Sequence, residues 1–164
     1  MKPALLVVDI QNAWLEMSPE LKRSVEMRAE EINEGIRIFR EKGLPIIFIY
    51  HTDKGKGPEP GTRSFEFADG IHVRDSDVKV TKNYPNAFNK TNLVEILGKQ
   101  KCDTVIIEGL SATGCILATY LGAIDHDLSP YLVKGAVASG REDLLRFVEE
   151  ICDTLSLRAM DQML

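Results

Sequence analysis

Four side chains in this sequence could act together on a small molecule: Asp9, His51, Lys82 and Cys115. Cys115 closes the segment Gly109-Leu110-Ser111-Ala112-Thr113-Gly114-Cys115, where a Gly and small residues turn the chain from a strand into a helix. A thiol in the first turn of a helix faces unsatisfied N–H groups and the positive end of the dipole. Both favour the thiolate and predict a pKa below the free value of ~8.5. The same N–H groups could hold an oxyanion. Equally, a lone Cys is commonly just a small buried apolar residue. Lys82, in Val80-Thr81-Lys82-Asn83-Tyr84-Pro85, would lower the thiol pKa further if it were adjacent; otherwise it is a solvated surface Lys. Asp9 ends an apolar run and should be partly buried, so it needs a cation or hydrogen bonds, and Lys82 is a candidate partner. Beside a thiol, Asp9 could serve as general base and then general acid; alternatively it caps nearby backbone N–H groups. His51 could touch substrate, or cap a strand end. Cys102 and Cys152 lack such a setting and read as structural.

These residues are useful only if the fold gathers them. Ala4–Asp9 (ALLVVD) and Pro45–Tyr50 (PIIFIY, reaching to His51) are apolar runs of the kind found in parallel strands covered on both faces. Asp77–Thr81 alternates and reads as a short strand, and Asp103–Glu108 as another, with Gly109 at its end. Pro130–Val133 and Thr154–Leu157 read as short strands. Ser18-Pro19-Glu20 predicts a helix start, with Ser at N-cap and Pro at N1. Val25, Ile32, Ile36 and Phe39 carry that helix to about Lys42, where Gly43 stops it. Further helices are expected over Thr91–Gln100, Thr113–His126 and Arg141–Cys152. Strands alternating with helices predict an α/β fold, a Rossmann-like three-layer sandwich with a mostly parallel six-stranded sheet and helices on both faces. In such sheets ligands bind beyond the carboxyl ends of the strands. Asp9, His51, Lys82 and Cys115 follow the first four strands and therefore converge on one rim.

The 164 residues fit one domain, taken as 1–164. A net charge of −5 argues against nucleic acid or an anionic membrane as partner. Lys54, Lys56 and Arg63 are scattered among Glu59 and Glu66 and form no basic run. Three Cys at wide spacing give neither a disulfide framework nor a C-x-x-C metal pair, and reduced thiols suggest a cytoplasmic protein. Ala4–Val8 is too short for a signal segment or a membrane span. Thr52–Gly70, with six Gly or Pro, is long for a connection and marks a functional or mobile loop.

Three stretches together resemble the isochorismatase-like cysteine hydrolases. Leu6–Trp14 (LVVDIQNAW) resembles the family's D-x-Q-N-x-aromatic signature. Val80–Leu93 matches K-x(5)-F-x-x-T-x-L at Lys82, Phe88, Thr91 and Leu93. Gly109–Ala123 has Gly, five residues, Cys115, then Thr119 and Ala123. The resemblance implies a triad of Asp9, Lys82 and Cys115 and a covalent thioester-type intermediate on Cys115. It implies a cis peptide at Leu110–Ser111 and an oxyanion held by the N–H groups of Ser111 and Cys115. It implies that Gln11 positions substrate or water, that Trp14 lines the pocket, and that the protein forms dimers or tetramers; His51 and Tyr84 are further candidate substrate contacts. It calls for no organic cofactor. The Asp-x-His pair of the metal-dependent nicotinamidases is replaced by His51-Thr52-Asp53, leaving only His72 and His126 besides, so no metal site is expected. Ala112 replaces the family's Thr, Gly135-Ala136 replaces its Asp-Ala, and the C-terminal region is short.

The leading expectation is a hydrolase of small amide or ureido compounds. The departures at Ala112 and Gly135 keep open a non-catalytic binding module on the same fold. Nucleotide binding is disfavoured, because Gln11-Asn12-Ala13 follows the first strand where a Gly-rich phosphate cradle would be needed. Phe65 and Phe67 could close over substrate as a lid or bury against a neighbouring subunit.

Overall fold

A computed structural model describes residues 1–53 and 55–164; Lys54, one of the scattered basic residues, lies outside the described residues. The apolar runs form one six-stranded sheet. Its strands are β1 (Pro3–Val8), β2 (Ile46–His51), β3 (Val78–Lys82), β4 (Thr104–Leu110), β5 (Ser129–Ala138) and β6 (Thr154–Leu155). Every pairing is parallel and the order is β3-β2-β1-β4-β5-β6. β1 and β4 are buried on both faces, which is why they read as uninterrupted apolar runs.

Alternate residues of β1 face opposite layers. Ala4, Leu6 and Val8 pack with α3 (Leu93–Lys99), α4 (Leu117–Asp125) and α5 (Glu142–Ile151). Leu5 and Val7 pack with α2 (Pro19–Glu41) and α6 (Leu157–Met163). α2 begins as expected: Ser18 Oγ accepts from Leu21 N at 3.1 Å, Pro19 is its first residue, and Gly43 beyond its end takes φ +64°.

Several boundaries differ from the expectations. A short helix, α1 (Asn12–Met17), follows β1 and had no periodic signal. β5 runs ten residues instead of four, passing an irregularity in its pairing with β4 and Gly135 at φ +87°. The region after β6 is helical. Thr113–His126 is not one helix: a wide π-type turn at Ala112–Ile116, kinked at Gly114, precedes α4. Phe65 and Phe67 do not stand exposed on the long loop. Both are buried in their own chain, Phe65 stacked on Tyr50 at 4.9 Å and Phe67 edge-on to Phe48 at 5.5 Å. No helix among the described residues is long and apolar enough to cross a membrane.

Candidate active site

The sheet register brings the reactive groups to one height. Val8 pairs with Ile49 and with Gly109, Ile49 with Val80, and His51 with Lys82. His51 and Lys82 are therefore side-by-side neighbours on adjacent strands, one residue beyond the level of Asp9. Asp9 itself leaves β1 with φ +54°, its N–H donating to Ile49 O at 2.9 Å. Gly109 lets β4 pass tightly beside β1: it has φ +116°, and a Cβ there would lie 2.2 Å from Val8 O. The chain then crosses the Leu110–Ser111 peptide, which is cis, and turns Cys115 back over the strand ends.

Segment 83–92 fixes Lys82 relative to Cys115. Ala87 N donates to Thr119 Oγ1 of α4 at 3.1 Å, and Gly122 leaves room for the Asn86 side chain. Thr91 Oγ1 donates to Ala87 O at 2.6 Å, while Phe88 and Leu93 are core. The motif residues around Lys82 and Cys115 thus dock the two segments on each other.

Lys82 Nζ is the centre of the site. It donates to Asp9 Oδ2 at 2.8 Å and to Cys115 Sγ at 3.1 Å, and lies 3.0 Å from His51 Nδ1. With Lys82 fully buried and Asp9 2% exposed, no water can stand in for these partners. His51 must offer Nδ1 as an acceptor and is therefore neutral, in keeping with a pKa lowered by burial and by the Lys82 charge. Asp9 has its pKa raised: burial outweighs the opposing pull of Lys82. Its Oδ1 is buried without a partner.

The surroundings of the sulfur work against the thiolate expected from helix position. Burial pushes the Cys115 pKa up to about 12, and the Asp9 charge adds to the rise, together outweighing Lys82. Cys115 also lies in the π-type turn before α4, so the first-turn geometry assumed for the dipole is not formed. The shift favours the thiol over the thiolate.

A cavity of about 320 Å³ opens beside Cys115, with Trp14, His51, Leu110, Ser111 and Gly114 among its walls. The Trp14 and His51 rings meet edge to face at 5.7 Å. Two expected substrate contacts are elsewhere. Tyr84 is exposed, with Lys90 Nζ 5.2 Å above its ring, because segment 83–92 turns away from the rim to reach α4. Gln11 is fully buried and its amide is taken up by backbone: Nε2 donates to His51 O and Phe65 O, and Oε1 accepts from His51 N. It fastens the ends of β1 and β2 to the long loop. Sequence reasoning missed Met17, Ser18 and Leu21 in the cavity wall; α1 and the start of α2 carry them there, and α1 had no signal.

Asp9, His51 and Cys115 offer three metal-type donor atoms within 4.8 Å of one another. All three face the Lys82 ammonium at hydrogen-bond distance, so a divalent cation would have to displace that charge. The donor set suits an ammonium and not a metal ion.

Residues 3–148 match the family described as the Isochorismatase domain. The isochorismatase family protein YrdC of Bacillus subtilis (strain 168) is 31% identical over 140 residues, covering 84% of this chain and 74% of its own. An isochorismatase-like hydrolase from Alkaliphilus metalliredigens superposes with a TM-score of 0.89 at 18% identity over 99% of both chains, a likeness of fold. The N-carbamoylsarcosine amidase of Thermoplasma acidophilum superposes with a TM-score of 0.80 at 26% identity over 95% of both chains.

Proposed function

This chain belongs to the isochorismatase family of hydrolases, and from that premise we propose that it cleaves the C–N bond of a small amide through Cys115. The observation that carries the reading is the convergence of Asp9, His51 and Cys115 on Lys82 Nζ at the mouth of an open cavity. The similarity to an amidase of 26% identity supports the amide over other acyl compounds.

The raised thiol pKa sets the order of events. As Sγ attacks the carbonyl carbon, its proton passes to Asp9, whose Oδ1 is the unoccupied acceptor. The carbonyl π electrons move to oxygen, and the N–H groups of Ser111 and Cys115 are the assigned donors to that oxyanion. The tetrahedral adduct collapses, the C–N bond breaks, and Asp9 returns the proton to the departing amine. Water then attacks the thioester with Asp9 again as base, releasing the acid and restoring the thiol. Lys82 offsets negative charge on Asp9 and on sulfur throughout.

A binding module that had merely kept the fold would have no use for an unpartnered acceptor beside a thiol and an open cavity, and the departures at Ala112 and Gly135 leave all three in place. The decisive test is Cys115→Ala assayed for ammonia release from small amides. We expect a loss of at least about 10³-fold, and a mass shift on Cys115 in rapidly quenched wild type. Undiminished turnover by Cys115→Ala would overturn the reading.

A further inference from the structure

We propose that the site accepts amides of small, uncharged, apolar acyl groups and rejects those carrying a carboxylate; this rests on the amidase reading above. The cavity beside Cys115 is walled mainly by Trp14, Met17, Leu21 and Leu110. Trp14 Nε1 is buried without a partner and presents almost no surface to the cavity. Of the two hydroxyls present, Ser18 Oγ is already engaged by Leu21 N and Glu20. The other, Ser111, opens the turn that carries Cys115.

Among the described residues no Arg or Lys lines this cavity. Lys82 is fully buried behind it, committed to Asp9, His51 and Cys115. His51 lines it as a neutral ring. Lys56 belongs to a neighbouring hollow beyond Trp14 and Met17, which Glu16 and Glu59 also line. An entering carboxylate would lose its water, find no cation, and come to rest near Asp9. An alkyl or aryl group would instead trade water for carbon on most sides. The volume of about 320 Å³ is at the small end for ligand sites, which sets the acyl group at a few carbons.

The matched pair butyramide and succinamate tests this, since they share a chain length and differ by a terminal methyl against a carboxylate. Ammonia release at pH 8 should show kcat/KM at least about 100-fold higher for butyramide. Across acetamide, propionamide and butyramide it should climb about threefold per methylene. Met17→Arg, at an exposed position on the cavity wall, should close the gap with succinamate at least about tenfold. Equal or better turnover of succinamate by wild type would overturn the inference and leave the amidase reading intact. If wild type hydrolyses no amide, the amidase reading fails, and binding still decides this one. Trp14 is the sole tryptophan, so its fluorescence in Cys115→Ala reports occupancy. Saturation by butyramide and not succinamate supports the apolar site; the reverse, or no response to either, sinks it.

Discussion

Cys115 Sγ lies 3.1 Å from an ammonium, yet its pKa is raised, because burial and the Asp9 charge outweigh Lys82. The cation and the carboxylate pull the sulfur in opposite directions, and their balance can be tipped. In Asp9→Asn the like charge is gone while Lys82 remains, so the thiol pKa must fall. Iodoacetamide should then alkylate Cys115 faster than in wild type at pH 7.5, by about tenfold or more, while amide hydrolysis collapses for want of a base. An opposed pair of effects from one substitution separates proton transfer from sulfur activation. Slower alkylation in Asp9→Asn would show that Asp9 does not raise the thiol pKa. The charge state of the sulfur was beyond the sequence, which revealed the neighbours but not how far each would be desolvated.

The elements that deliver these residues were readable to the degree that they were buried on both faces. The runs ALLVV and PIIFIY marked β1 and β2 because a parallel strand under two helical layers has no polar side. Ser18-Pro19 marked the start of α2 because capping is local chemistry. α1 was illegible: six residues with no capping side chain and one buried position carry no period. Tyr84 was misplaced because its position depends on Asn86 and Thr119 pinning segment 83–92 to α4, a tertiary choice. The backbone role of Gln11 was not readable, because a polar residue at a strand end looks the same whether it faces a pocket or the backbone. Its three hydrogen bonds to His51 and Phe65 predict that Gln11→Leu leaves buried backbone groups unpaired. Urea unfolding should show a loss of about 2–4 kcal/mol. A loss under about 0.5 kcal/mol would mean the long loop is fastened by something else.

At the scale of the whole molecule, the sheet holds one group that neither the fold nor the site employs. Glu108 is fully buried on β4 beneath α2, where Gly35 leaves the space its carboxyl fills, and both of its oxygens lack partners. Burial alone raises its pKa well above 4.5. The consequence for stability has a definite sign. Below about pH 4.5 both folded and unfolded chains carry the proton, and Glu108 contributes no pH dependence. Above that, the unfolded chain ionises freely and the folded one does not, so stability falls by about 1.4 kcal/mol per pH unit until the folded pKa is reached. Glu108→Gln keeps the shape and removes the titration. It should match wild type at pH 4.5 and exceed it at pH 7.5 by more than about 1 kcal/mol in urea unfolding. Asp9, whose pKa is also raised, acts in the same direction in both proteins and cancels from the difference. If the gap between the two proteins does not widen with pH, the carboxyl is ionised in the fold and must have a partner. In that event the layer between β4 and α2 would hold a cation or water at Glu108.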